Sequence, residues 1–157
     1  MNNRIKIALL IVLVAAQFII FRFYYSFRFN VDLLFLIILY VTVTSTYLKG
    51  MITATLIGLA MDFFSGGILG VFSFSRALAA FFLHRISRFL DLRKNVFLFL
   101  LIFIPLLFSN CVANLFFYFI FRFHLTTELI LMQPLLTAAV GTLLAGNAKV
   151  KKILNVY

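Results

Sequence analysis

Long apolar runs, broken by single charges or by glycine, set the pattern of this chain. The first run covers residues 7–21 and is flanked by Arg4, Lys6 and Arg22; the second covers 33–48, between Asp32 and Lys49. A helix rises about 1.5 Å per residue, so a hydrocarbon core of about 30 Å takes about 20 mostly apolar residues. Backbone polar groups in lipid must be bonded within their own segment, so each run predicts a helix. The period-two alternation of a membrane barrel strand is absent. The first run has the basic start and short apolar core of a signal peptide, but no small-x-small cleavage site follows it, and more membrane segments do. It is read as a retained first helix. The run over 96–121 spans about 39 Å as a helix, more than a bilayer core, and should tilt or kink, with Pro105 the natural place. The last run, 129–148, has Pro134 near its start.

Residues 51–83 are harder to divide. As one straight helix they would span about 50 Å, and they are interrupted by Asp62, by Ser65-Gly66-Gly67 and by Gly70. Two short helices joined by a glycine turn fit better. The expected fold class is therefore an all-α integral membrane protein: a six-helix transmembrane bundle with a short hairpin formed by its third and fourth helices. One domain covers 1–157, with helices near 5–24, 31–48, 51–64, 69–84, 96–121 and 129–148.

Composition agrees with lipid burial. Of 157 residues 65% are hydrophobic and 11% charged, an apolar excess that a soluble fold of this size has no core to hide. The net charge of +10 falls between the apolar segments rather than on a folded basic face, so it speaks for orientation in the membrane and not for nucleic acid. Six crossings with a cytoplasmic N-terminus put ten basic residues inside (Arg4, Lys6, Lys49, Arg85, Arg88, Arg93, Lys94, Lys149, Lys151, Lys152) and three outside (Arg22, Arg28, Arg122). Five crossings invert this to four against nine; flipping that arrangement restores the balance but puts Arg4 and Lys6 outside. Both termini are expected in the cytoplasm. The 22 Phe with no Trp reflect compositional bias rather than an aromatic-specific function.

Charges within membrane segments need a reason. Asp62 and Arg76 should lie at similar depth on the two arms of the hairpin, either facing each other in a polar network with Asn110 and Asn114 or snorkelling separately to the interface. Ala54, Gly58 and Asp62 at four-residue spacing place small residues on one helix face, and Gly141 and Ala145 repeat this, with Ala138 and Thr142 nearby. Asn110 and Asn114 read as interhelical glue, or as the lining of a ligand cavity. Cys111 reads as a packing residue, and His84 and His124 as interfacial. The stretch 84–94 carries Arg85, Arg88, Arg93 and Lys94, with Ile86, Phe89 and Leu90 interleaved, which predicts a short helix on the cytoplasmic membrane face in contact with anionic lipid, or a dock for a cytoplasmic protein. No His-Glu-x-x-His, G-x-S-x-G or phosphate-binding loop is present, and Asp62 and Asp91 are predicted on opposite membrane faces. An enzyme is not expected, and neither is a metal or cofactor.

The stretch Gly58-Leu-Ala-Met-Asp62-Phe-Phe-Ser65-Gly66-Gly67-Ile-Leu-Gly70 resembles the signature of the bacterial rod shape-determining protein MreD family, as do the length, the basic ends and the hydropathy of the whole chain. It departs from that pattern at Gly67 and in lacking a proline before Leu69. The resemblance implies a noncatalytic scaffold of the cell-elongation complex in the bacterial inner membrane. Such a scaffold binds MreC and helps couple the MreB filament to peptidoglycan synthesis by RodA and its partner transpeptidase. It also implies a fold similar to the substrate-binding subunits of energy-coupling-factor transporters, with Asp62, Ser65, Gly66 and Gly70 shaping the hairpin. The alternative reading is such a subunit itself, carrying a vitamin-type small molecule. Against it, Ala8, Ala15 and Ala16 lack the Ala-x-x-x-Ala spacing those subunits present to their partner.

Overall fold

A computed structural model describes residues 31–65, 68–89, 94–122 and 128–145. Among these residues every regular element is helical: α1 (Leu33–Thr44), α2 (Tyr47–Ser65), α3 (Val71–Ser87), α4 (Asn95–Phe121), a π-helical turn (Glu128–Met132) and α5 (Gln133–Ala145). The first expected helix, 5–24, lies outside the described residues, so five of the expected six are observed.

The first correction concerns where the second run ends. The chain breaks at Ser45-Thr46, not at Lys49-Gly50, so α1 is shorter than expected and α2 starts earlier. Val41-Thr42-Val43-Thr44 is a β-branched run of weak helix formers, and Ser45 after it takes extended backbone while its N–H bonds Val41 O at 3.0 Å. Lys49 and Gly50 sit inside α2. Gly50 serves packing: a Cβ there would lie 2.8 Å from Thr42 Oγ1 and 3.0 Å from Thr42 Cα, so only glycine lets α2 fold back this closely on α1.

The second correction follows from it. At 19 residues α2 spans about 28 Å, so the first arm of the hairpin is not short. Tyr47–Phe64 and Asn95–Ile120 are both long and apolar enough to cross a bilayer, while Leu33–Thr44 and Ile130–Leu144 are shorter apolar helices. Leu48, Ile52, Leu56, Leu59 and Phe63 form an exposed stripe down α2, whereas Ala54, Gly58, Met61 and Asp62 are buried on the opposite face. A water-soluble helix would carry polar residues on its outer face. Here that face is apolar, which suits hydrocarbon.

Helix α4 stays helical on both sides of buried Pro105 over 27 residues. The last expected helix is divided. Pro134 has no N–H to donate back to Ile130, and the wider π-helical turn over Glu128–Met132 leads into the α-helix that starts one residue before it.

Neighbours in sequence pack as neighbours in space, and α1 touches each of α2, α3, α4 and α5. Its buried residues Leu34, Phe35, Ile38, Leu39 and Thr42 recur at helical spacing. They meet Ala79, Ala80 and Leu83 of α3 and Leu98, Leu101 and Ile102 of α4 in one core. Gly141 of α5 closes on this core through side-chain tips alone: its added Cβ would meet Ile102 Cδ1 at 2.6 Å and Leu36 Cδ2 at 2.9 Å. Those tips can rotate away. Gly141→Ala is therefore expected to cost only about 1 kcal/mol, seen as a small fall in the melting temperature of the detergent-solubilised protein.

Candidate functional site

The polar interior is built at the hairpin between α2 and α3. Gly58 lets the two backbones touch: a Cβ at this position would stand 2.3 Å from Ser73 Cα, 2.6 Å from Ser73 N and 2.8 Å from Phe72 O. One turn further along α2, the Asp62 carboxylate reaches over the start of α3. Its Oδ2 accepts from Gly70 N at 2.9 Å and Ser73 N at 3.0 Å, and its Oδ1 accepts from Phe72 N at 2.8 Å. These are N–H groups that the first turn of a helix leaves without intrahelical partners, and a negative charge there also favours the helix dipole. Gly70 itself has φ +107°, a conformation that L side chains rarely adopt, so the turn before α3 depends on glycine although space is open around it. Ser73 Oγ donates to Thr55 O at 3.1 Å, a further tie between the two arms. Of Ser65, the backbone closes α2; Gly66 and Gly67 lie outside the described residues.

Arg76 corrects the expected pairing. Its Nη2 donates to Oδ2 of Asp32, at the start of α1, and not to Asp62. Both partners are buried, Arg76 at 1% and Asp32 at 0% exposure. Asp32 has three roles at once. Its Oδ1 accepts from Phe35 N at 2.9 Å and so caps α1, its backbone N–H donates to Thr137 Oγ1 of α5 at 2.9 Å, and its side chain holds α3 through Arg76. The ring of Phe35 stands 5.3 Å from the guanidinium carbon and adds a cation–π contact. The ion pair joins α1 to α3, and the backbone N–H of Asp32 adds α5. Arg76 Nε and Nη1 are buried with no hydrogen-bond partner, as is Thr42 Oγ1.

Of the four residues expected in one polar network, three take partners outside it. Asp62 caps α3, Arg76 pairs with Asp32, and Asn110 Nδ2 donates to Gln133 Oε1 at 3.2 Å, joining α4 to α5. Asn114 is half-buried one turn further along α4. The Asn110 amide thus acts between helices. Cys111 is exposed and not packed inside as expected. Reversing both Asp62 and Arg76 is expected to give no rescue, since the two are not partners. Asp62→Asn keeps one acceptor oxygen where three N–H groups need two, and should destabilise by about 2–3 kcal/mol in a thermal melt.

The basic stretch also departs from a separate surface helix. Arg85 belongs to the last turn of α3, Arg88 is its C-cap, and Lys94 is the N-cap of α4; Leu90, Asp91 and Arg93 lie outside the described residues. Tyr47 in the first turn of α2 packs its ring 5.3 Å from His84 and 6.1 Å from Phe81, so Lys49 stands at the same end of the bundle. His84 is half-buried, with Nδ1 3.5 Å from Thr42 O; His124 lies outside the described residues.

Sequence reasoning missed Asp32, Thr137 and Gln133 as interior partners. An aspartate directly before an apolar run is a helix-start signal, which marks Asp32 as a cap. Its partner 44 residues away carries no local trace.

Over the described residues these elements define an all-helical membrane protein whose interior charges are held in helix caps and one ion pair. The chain belongs to the MreD family: residues 3–145 match the model of the rod shape-determining protein MreD, as the hairpin resemblance implied. The family assigns it a role in rod-shape determination, and is one of shape-determining membrane proteins rather than of known enzymes. No curated protein and no solved structure shows significant similarity to the chain.

Proposed function

We propose that this protein is a noncatalytic scaffold of the bacterial cell-elongation complex. In this reading it is a single inner-membrane domain over 1–157, with a sixth helix over 5–24, both termini in the cytoplasm, and an architecture like that of energy-coupling-factor substrate-binding subunits. It binds MreC directly and helps couple MreB to peptidoglycan synthesis by RodA and its partner transpeptidase. Family membership over residues 3–145 is the observation that carries the reading. It is supported by an interior whose charges are spent on holding α1, α2 and α3 together.

Affinity purification of the tagged protein from a rod-shaped bacterium should bring down MreC, and depletion should round the cells. Rod-shaped depleted cells, or a purification free of MreC, would overturn the reading. The carrier alternative has one observation on its side, the two unpartnered donors of buried Arg76. A rise in melting temperature with one member of a vitamin panel, abolished in Arg76→Lys, would favour it over the scaffold.

A further inference from the structure

The outer face of α3 changes character along its length. Phe74, Phe81 and Phe82 are exposed on it, and two of them meet α4 edge-on: Phe74 with Phe116 at 5.8 Å and Phe82 with Phe108 at 4.9 Å between ring centroids. These rings form an aromatic strip between α3 and α4. Beyond it, on the same helix, come exposed Arg85 and Arg88, followed by Phe89 at 85% exposure. Exposed Lys94 begins α4 on one side, its Nζ 5.7 Å from the Phe97 ring centroid, and exposed Lys49 stands near the start of α2 on the other. Of the described carboxylates, Asp62 is at the opposite end of the hairpin, Asp32 begins α1 beside Arg76, and Glu128 follows the far end of α4; Asp91, between Arg88 and Lys94 in sequence, lies outside the described residues and leaves 84–94 net basic.

We propose that this end of the bundle is a binding site for anionic phospholipid. The phosphates are held by Arg85, Arg88, Lys49 and Lys94, and the acyl chains lie along the strip of Phe74, Phe82 and Phe108. Three features favour lipid over an acidic cytoplasmic protein. Charge and apolar strip are continuous, and a lipid carries both chemistries in one molecule. The strip runs about 16 Å along α3 from Arg85 back to Phe74, close to one leaflet's half of a hydrocarbon core of about 30 Å. A protein confined to water would leave those rings uncovered. Packed helices lie about 8–10 Å apart, so cations on three adjacent helix ends spread wider than one phosphate. Two phosphates tethered in one molecule fill that spread better than one, because the second binds at a raised effective concentration. The site therefore prefers a diphosphate lipid such as cardiolipin, and guanidinium groups suit phosphate in their fork geometry.

Native mass spectrometry of the delipidated full chain, titrated with cardiolipin, phosphatidylglycerol and phosphatidylcholine, tests this. Cardiolipin should saturate the protein at a concentration at least tenfold below phosphatidylcholine, with phosphatidylglycerol between them. Each cation near an anionic surface contributes about a factor of five. The triple variant Arg85→Gln/Arg88→Gln/Lys94→Gln should therefore need more than tenfold more cardiolipin while still retaining MreC on co-purification, so the lipid site and the scaffold reading fail separately. Should that variant not fold, the wild-type lipid series stands alone, and salt at about 0.5 M should erase its preference. Equal binding of all three lipids, or undiminished cardiolipin binding by the folded variant, would overturn the proposal. So would an acidic cytoplasmic protein captured through these residues by a chain that ignores cardiolipin.

Discussion

Asp32→Leu is expected to leave little folded protein after extraction from the membrane, and adding Arg76→Met to it should restore most of what is lost. The single change strands a buried guanidinium. Removing one partner of a buried ion pair costs about 3–5 kcal/mol, because the remaining charge stays desolvated with nothing to balance it. Arg76 is fully buried, and two of its nitrogens already lack a partner, so the loss of Asp32 removes the one acceptor it has. Replacing both members with apolar side chains removes the stranded charge, and for buried pairs such replacements are often neutral or better. Recovery should stop short of wild type by about 1 kcal/mol, since Leu cannot accept from Phe35 N and the cap of α1 is lost. The reversed pair, Asp32→Arg with Arg76→Asp, should recover less than the apolar pair, because it loses the same cap and still buries two charges. Melting temperatures in one detergent, read alongside membrane expression, rank the variants. A double variant no better than Asp32→Leu alone would mean that the pair is not what holds α1 to α3.

Gly58→Ala should be the most damaging single-methyl addition among the described glycines, by about 3 kcal/mol or more. Its Cβ would fall 2.3 Å from Ser73 Cα, against backbone that has no rotamer to change, whereas the added methyl of Gly141→Ala meets two side-chain tips. The effect spreads because the same close approach brings Asp62 within reach of the amides of Gly70, Phe72 and Ser73. Pushing α2 and α3 apart lengthens those bonds together. Hydrogen exchange should show the amides of 70–73 losing protection in Gly58→Ala, in the same places as in Asp62→Asn. A Gly58→Ala protein with a wild-type melting temperature would mean that the helices do not approach this closely.

The gap between reading and structure is clearest in the charges. Asp62, Gly58 and Gly70 were legible as a hairpin because their spacing is local: a small residue, an acid one turn later and a glycine at the turn all lie within thirteen residues. The resemblance to the MreD family rests on this stretch, and the family match over residues 3–145 agrees with it. The partner of Arg76 was not legible. Asp62 and Arg76 have complementary charges on adjacent helices, which made them the natural pair, but the start of α3 supplies Asp62 with three N–H donors. That leaves Arg76 to the next carboxylate at its depth, which comes from α1. The break at Ser45 was misplaced because a Lys-Gly pair is a stronger sequence signal than a β-branched run. Gly50 turned out to serve a close helix crossing instead of a turn.

Hydrophobic content, run length and the absence of period-two alternation, by themselves, determined that this protein is helical and lives in lipid, since only helices and closed barrels satisfy their backbone there. Glycine spacing determined where the hairpin turns. Which charge meets which, and which helices the pair of Asp32 and Arg76 draws together, was decided only in three dimensions. Burial energy depends on what surrounds a group in space, and residues far apart in the chain become neighbours only once the helices pack.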